Sequence, residues 1–158
     1  MEPEETPSSS GPLQVEGVSV SGTGTRVFAT KLQVRPDDLD FFKHVHASRY
    51  QDYVLAARFD QMERCYGASM QRFMELGLGW YVKSFQIRYR RSLGLGDLFE
   101  VLTWVEELKS RSAVIGFEIR LLPERLLCSE GSSEYTLINL ENGRPTNLPS
   151  WVREAYAI

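Results

Sequence analysis

Side chains that suit acid–base chemistry are concentrated within one span of ten residues. That span contains both histidines of the chain and three acids: Asp37, Asp38, Asp40, His44 and His46. A carboxylate can act as a general base or a nucleophile, an imidazole can transfer protons, and both can bind zinc. Ionisable groups concentrated in a loop between two buried elements are typical of a functional site. The span therefore predicts the active or binding site of the molecule.

Each of these side chains also has an ordinary structural role that the pattern leaves open. Asp40 suits a solvated loop acid or a helix cap, and Asp38 suits the turn at a strand end. His44 is typical of a ring that hydrogen-bonds to backbone and shapes a loop, and His46 of one that faces solvent. A zinc site made of Asp40, His44 and His46 would have no further ligand cluster elsewhere in the chain, so we expect no metal.

The elements on either side place this span between a strand and a long helix. The β-branched residues at 26–34 predict a first strand, which Pro36 ends because proline lacks the ladder donor. Ser48 suits the N-cap of a helix that stops at Gly67, and a short helix is predicted at 69–76. Two apolar stripes predict that the long helix is buried on a wide face. They consist of Tyr50, Val54 and Ala57, and of Leu55, Phe59, Met62 and Tyr66.

The second half of the chain shows the period of two that is typical of strands. One apolar face is predicted from alternate residues, namely Tyr81, Lys83, Phe85, Ile87 and Tyr89. Further strands are predicted at 98–108, 113–122 and 128–140, and a helical turn at 149–156. Because the connections are short, neighbouring strands should be antiparallel, and the four strands should form a meander. A meander after a long apolar helix predicts an α+β fold whose antiparallel sheet wraps around that helix.

The composition limits the classes to which the protein can belong. Its 158 residues fit one domain, and a net charge of −3 argues against non-specific nucleic-acid binding. No apolar run reaches the roughly 20 residues that span a membrane. Cys65 and Cys128 are too few for a disulfide framework, so reduced thiols are expected. Residues 1–24, rich in Pro, Ser, Gly and Glu, are predicted to be disordered, with residues 25–158 as the folded domain. We therefore expect a soluble cytoplasmic protein.

Read as a motif, the span opens with an aspartate pair and ends at the start of the helix. Its three parts are Asp38-Leu39-Asp40, then His44-Val45-His46-Ala47, then Arg49-Tyr50. This order resembles the hotdog-fold acyl-CoA thioesterases of the 4-hydroxybenzoyl-CoA thioesterase superfamily, in particular the FadM-like and YbgC-like branches. A weaker likeness covers residues 87–97, and the resemblance extends over about residues 26–155.

The resemblance implies a hotdog domain that hydrolyses an acyl-CoA to a free acid and CoA. It implies that Asp40 is the catalytic carboxylate, as general base or nucleophile, and His44 is the second predicted catalytic residue. Amides at the start of the central helix would then stabilise the oxyanion. Substrate contacts are predicted at His46, Tyr50, Arg88, Arg90 and Arg91, with the arginines suited to the phosphates of CoA. No cofactor is implied, and a homodimer that pairs into a dimer of dimers is expected.

The histidines depart from the family motif. Many FadM-like members have two asparagines where this chain has His46 and Ala47, and YbgC-like members have a histidine at the position of Ala47. The histidine is therefore displaced by one position, which weakens the case for a direct catalytic role of His46.

Other functions remain open beside acyl-CoA hydrolysis. The substrate could be an acyl-carrier-protein thioester, or the chain could be a non-catalytic acyl-thioester-binding protein with the same fold. A hotdog hydratase or dehydratase is disfavoured by the spacing of Asp40 and His44. Flexible and aromatic side chains that suit either an acyl pocket or plain core are Met62, Met70, Phe73 and Met74.

Overall fold

The computed structural model describes residues 25–157, and the predicted disordered segment at residues 1–24 lies outside them. A short 3-10 turn, Pro36–Asp38, follows the first strand. The predicted order of strand, long helix, short helix and further strands is confirmed. In chain order the elements are β1 (Val27–Gln33), α1 (Arg49–Arg64), α2 (Met70–Glu75), β2 (Leu78–Tyr89), β3 (Leu98–Leu108), β4 (Ser112–Leu121), β5 (Leu126–Asn139) and α3 (Ser150–Ala155).

The strands form one antiparallel sheet in the order β1-β3-β4-β5-β2. β3, β4 and β5 form a meander, but the predicted four-strand meander is wrong in its first strand, because β2 pairs with β5 at the far edge. Residues 90–97 join β2 to β3. Eight residues can extend about 26 Å, whereas three strand spacings need only about 14 Å. A connection that looks like a short turn is therefore long enough to cross the end of the sheet.

Helix α1 lies across one face of the sheet and forms the centre of the core. Its first predicted stripe is buried, and Val54 and Ala57 are completely so. The second stripe is less buried than predicted, because Leu55 is half-buried and Phe59 is 48% exposed. The helix packs mainly on β1 and β3, which leaves space between its other side and β2. The second stripe is therefore incompletely buried because it faces the space between α1 and β2.

A bulge in strand β2 changes which of its residues face the helix. Its register with β5 shifts between Val82 and Ser84, so Lys83 is an extra residue. An extra residue reverses the alternation of side chains. Val82 and Phe85 consequently both face inwards, whereas Tyr81 is 62% exposed. The prediction that Tyr81 and Lys83 share the apolar face with Phe85 is therefore wrong.

Candidate active site

The site loop, residues 34–48, makes a tight turn between β1 and α1. The Asp40 N–H donates to the His44 carbonyl at 2.9 Å, and the Lys43 N–H donates to the Asp40 carbonyl at 3.1 Å. Lys43 closes this turn with a φ of 62°, a conformation that residues other than glycine rarely adopt. The turn holds Asp40 and His44 opposite each other.

The connection between β2 and β3 supports the site loop from the other side. The Val45 N–H donates to the Leu93 carbonyl at 2.9 Å. The Tyr89 hydroxyl, at the end of β2, donates to the Ala47 carbonyl at 3.1 Å. Because residues 90–97 cross the end of the sheet, they bring the end of β2 next to the site loop. The crossing that the sequence did not predict thus helps to build the site.

One carboxylate oxygen of Asp40 is fixed and the other is open. Oδ1 accepts hydrogen bonds from the Phe42 N–H at 2.9 Å and from the His44 N–H at 3.3 Å. Oδ2 has no partner among residues 25–157, and the side chain is half-buried. A carboxylate held in this way is oriented but keeps one oxygen able to accept a proton or to attack a carbonyl carbon.

Asp38, only two residues away, has the opposite surroundings. It is completely buried and accepts hydrogen bonds from the Tyr53 hydroxyl at 2.7 Å and from the Arg35 N–H at 3.0 Å. Burial alone would raise the pKa of Asp38, but these bonds and the Arg35 guanidinium together lower it. Burial and the bond to Asp38 raise the pKa of Tyr53. Asp38 therefore anchors the loop, and all of its interactions are structural.

The two predicted site histidines have different roles in the loop. The His44 imidazole is exposed and has no partner in the described part of the chain, while its backbone N–H contacts Asp40. His46 Nδ1 lies 2.8 Å from Ser48 Oγ and accepts a hydrogen bond from the Ser48 N–H at 3.1 Å. The bond from the backbone places the ring proton on Nε2. Ser48 is the N-cap residue of α1 as predicted, but its hydroxyl lies against His46 Nδ1 and makes no capping hydrogen bond to the helix.

Tyr50, a predicted substrate contact, is 3% exposed at the start of α1. Its ring centroid lies 5.1 Å from that of Tyr89 and 6.0 Å from that of Tyr53, both edge-on. Burial raises the pKa of the Tyr50 hydroxyl. The structure therefore brings Tyr50 under the site loop as part of its packed floor.

The three predicted arginines project from the end of β2 and the residues just after it. All three are exposed, and the Arg90 guanidinium forms an ion pair with Glu130 at 2.7 Å. The positive charges of Arg90 and Arg88 lower the pKa of Glu130, the hydrogen bond from Arg90 being the larger cause. The backbone N–H groups of Arg90 and Arg91 both donate to the Cys128 carbonyl, at 2.8 and 3.0 Å. Because side chains alternate along a strand, Tyr89 faces the site loop, whereas Arg88 and Arg90 lie beside Glu130 on the opposite face of the sheet.

An apolar cavity of about 260 Å³ occupies the space between α1 and β2. Two of the four predicted pocket residues, Met62 and Met70, line it, whereas Phe73 is buried in the core and Met74 is 61% exposed. Neither Asp40 nor the other residues of the site loop line this cavity. Its walls are formed by Leu55, Arg58, Phe59, Met62, Met70, Trp80, Val82, Ala113, Ile115, Tyr135 and Tyr156.

The sequence reasoning missed the polar groups of this cavity. Arg58 is 6% exposed and lies among its apolar walls. A signal was present, because Arg58 stands between Val54, Leu55 and Met62 on the buried side of the predicted helix. A cation in the middle of an apolar helical face requires an explanation.

The described residues contain no group of three His, Cys, Asp or Glu side chains arranged to hold a metal ion. A search of the helices within residues 25–157 found none with the length and apolar character needed to cross a membrane.

Comparison with known proteins identifies relatives over most of the chain. A sequence model described as the thioesterase-like superfamily matches residues 34–156. The chain is similar to the long-chain acyl-CoA thioesterase FadM of Escherichia coli (strain K12), with 27% identity over 125 residues that cover 79% of this chain and 93% of FadM. It is also similar to the acyl-CoA thioesterase YbgC of Haemophilus influenzae, with 28% identity over 129 residues that cover 82% of this chain and 93% of YbgC.

Solved structures share the arrangement of the sheet and central helix. A DHNA-CoA thioesterase from Staphylococcus aureus superposes with a TM-score of 0.77 at 24% identity, over 83% of this chain and 89% of that one. The probable thioesterase YbaW from Escherichia coli superposes with a TM-score of 0.70 at 27% identity, over 80% of this chain and 94% of that one. The predicted α+β hotdog fold is thereby confirmed.

Proposed function

The chain belongs to the thioesterase-like superfamily, and we propose that it hydrolyses the thioester bond of an acyl-CoA to a free carboxylic acid and CoA. The observation that carries this proposal is the Asp40 carboxylate, which is held through Oδ1 by two backbone amides while Oδ2 has no partner among residues 25–157. The names of FadM and YbgC supply the substrate class.

In the proposed reaction, Asp40 Oδ2 takes a proton from water while the water oxygen bonds to the thioester carbon. The C–S bond of the tetrahedral intermediate then breaks, and its electron pair leaves with sulfur. The proton held by Asp40 passes to the CoA thiolate, so that one acyl-CoA and one water give one acid and one CoA thiol. Direct attack by Asp40 to form an anhydride, which water then hydrolyses, gives the same products.

The start of α1 is the proposed oxyanion site. α1 is 16 residues long, so its first-turn amides and the positive end of its dipole lie where the site loop ends. An oxyanion donor of this kind contributes about 10²–10³ in rate. We assign His44 to orienting Asp40 through its N–H and to contacting the thioester with its exposed ring. The predicted contacts of His46 and Tyr50 with the substrate are retained as predictions.

The basic cluster of Arg88, Arg90 and Arg91 is the proposed site for the CoA phosphates. Its support is the concentration of three exposed guanidinium groups at the end of β2, the strand end that contacts the site loop through Tyr89. Arginine suits this role because its guanidinium can donate two parallel hydrogen bonds to a phosphate. Arg90 would exchange its Glu130 partner for phosphate.

A homodimer, with two dimers forming a tetramer, is the proposed assembly. Phe41 and Phe42 support it, because both are largely exposed at the tip of the turn beside Asp40. Large apolar side chains exposed together mark interaction sites. A cytoplasmic location is proposed because Cys65 and Cys128 are both free thiols.

A panel of substrates tests the proposed activity. Purified protein is mixed with short, long and aromatic acyl-CoAs and with an acyl-carrier-protein thioester, and the released thiol is measured with a thiol-reactive dye. We expect release from at least one acyl-CoA and slower release from the carrier-protein thioester. Release from none of them would reject the proposed hydrolysis and favour a binding protein of the same fold.

A further inference from the structure

The cavity between α1 and β2 contains a buried cation whose charge is not balanced by a neighbouring carboxylate. Arg58 is 6% exposed and forms no ion pair within residues 25–157. A buried charge is costly unless it is paired. The other arginine in this part of α1, Arg64, is paired with Asp60. The arrangement around Arg58 therefore differs from an ordinary helix ion pair.

Arg58 is held in a fixed position by polar and aromatic contacts. Its Nη1 donates to Thr103 Oγ1 at 3.3 Å, and Thr103 in turn donates to the buried side chain of Gln61. The guanidinium carbon lies 5.1 Å from the ring centroid of Tyr66 and 5.6 Å from that of Tyr156. The aromatic contacts offset part of the cost of burying the charge. Besides Thr103, the guanidinium donates a hydrogen bond to the Tyr156 hydroxyl, and neither acceptor carries a charge that balances the cation.

The other polar groups of the cavity are also donors. The indole N–H of Trp80 is buried without an acceptor in the described part of the chain. Tyr135 and Tyr156 contribute hydroxyl groups, and burial raises the pKa of Tyr156 to about 12, so that its hydroxyl keeps its proton. No acidic side chain lines the cavity. An apolar chamber that contains an unpaired cation and an indole N–H without an acceptor is complementary to an apolar ligand that ends in an anion.

We propose that this cavity binds the far end of the acyl chain, and that the preferred acyl group carries a carboxylate there. The substrate class is thus the mono-CoA thioester of a dicarboxylic acid, with Arg58 as the residue that recognises the second carboxylate. This inference rests on the proposed function, because it takes the thioester to lie at the site loop.

The position of Arg58 sets the length of the acyl group. It lies ten residues after Ser48, which corresponds to about 15 Å along the helix axis. An extended chain advances about 1.2 Å per bond, so about a dozen carbon atoms bridge the distance. The matched pair of probes is therefore the mono-CoA thioester of dodecanedioic acid and dodecanoyl-CoA, which differ only at the far end.

The test compares kcat/KM for these two thioesters on the same preparation of each variant. The ratio does not depend on the fraction of folded protein, so a destabilised variant still gives an answer. For the wild type we expect the dicarboxylic substrate to be preferred about 10- to 100-fold. Arg58→Met should abolish or reverse the preference, and Arg58→Lys should keep part of it. Arg64→Met, which removes a positive charge from the same helix, should leave the ratio unchanged.

Binding of free dodecanedioic acid, measured by calorimetry, separates this inference from the proposed hydrolysis. We expect the wild type and Asp40→Asn to bind it and Arg58→Met to lose binding. If dodecanoyl-CoA is hydrolysed but the ratio is the same in the wild type and Arg58→Met, the inference is wrong and the hydrolysis stands. If no thioester is cleaved but the diacid binds through Arg58, the hydrolysis is wrong and the cavity assignment stands.

Discussion

Replacing Tyr53 by phenylalanine is expected to loosen the site loop without touching Asp40. The Tyr53 hydroxyl donates to Asp38 Oδ2 at 2.7 Å, and the Asp38 side chain is 0% exposed. A hydrogen bond to a buried charged group contributes about 1.5–3 kcal/mol, so Tyr53→Phe should lower the free energy of unfolding by about 2 kcal/mol. For a domain of this size, that loss corresponds to a fall in Tm of roughly 5–8 °C.

The loss should depend on pH, because the bond is strongest when Asp38 is ionised. Burial alone would raise the pKa of Asp38, but its bonds to Arg35 and Tyr53 lower it below the ordinary value. A carboxyl whose pKa is lowered by folding stabilises the protein above its unfolded pKa of about 3.9. This stabilisation is lost as the pH falls through the folded-state pKa. The wild type and Tyr53→Phe should therefore differ most at neutral pH and converge below about pH 4.

Urea unfolding followed by tryptophan fluorescence at pH 7 and pH 3 measures this difference. Tyr89→Phe is the matched control, because the Tyr89 hydroxyl also bonds to the site loop, at the Ala47 carbonyl, but on the exposed surface. We expect the control to lose less than about 1 kcal/mol. A Tyr53→Phe variant as stable as the wild type at pH 7, or one with the same loss at both pH values, would refute the role given to the Tyr53–Asp38 bond.

Three further predictions concern the turn, the basic cluster and the assembly. Lys43 adopts a φ of 62°, which is strained for any residue except glycine. In the same urea assay, Lys43→Gly should therefore raise the free energy of unfolding by about 0.5 kcal/mol, and Lys43→Val should lower it by about 1 kcal/mol. The opposite order of stability would contradict strain in the turn. Arg88→Gln combined with Arg91→Gln should raise KM for acyl-CoA about tenfold with little change in kcat. The same variant should hydrolyse an N-acetylcysteamine thioester, which lacks the phosphates of CoA, as fast as the wild type does. Equal effects on both substrates would exclude phosphate binding by these arginines. Phe41→Ser with Phe42→Ser should break one interface of the proposed tetramer and give a smaller species in size-exclusion chromatography with light scattering. A wild type that is already monomeric would rule out this interface.

The fold could be predicted from the sequence because its periodic patterns and its motif agree. The alternation of apolar and polar residues along β4 and the buried stripe of α1 identify these two elements by local physics. The partner of β2 could not be read in the same way, because residues 90–97 suit either a hairpin or a crossing of the sheet. The bulge at Lys83 could not be predicted from the sequence either, because it arises from the pairing of β2 with β5.

The site was predictable in its residue types and less so in its geometry. Asp38 and Asp40 stand two positions apart in one motif, and only the fold shows that the first is buried against Tyr53 while the second keeps an open oxygen. The fixing donors of Asp40 are backbone amides, which leave no trace in the residue types. Arg58 was overlooked because a charged residue on a helix is ordinarily solvated, and its burial depends on packing against Thr103.

Hydrolysis of the best acyl-CoA by Asp40→Asn, with Asp37→Asn as the matched control, tests the assigned catalyst most directly. Asp37 is an exposed carboxylate in the same loop, 3.9 Å from the Arg35 guanidinium, so its loss removes an equal charge without affecting Asp40. We expect Asp40→Asn to lower kcat for thiol release by about 10²–10⁴ while Tm and assembly stay unchanged, and Asp37→Asn to keep the wild-type rate. A folded Asp40→Asn variant that releases thiol at the wild-type rate would contradict the assignment of Asp40 as the catalytic carboxylate.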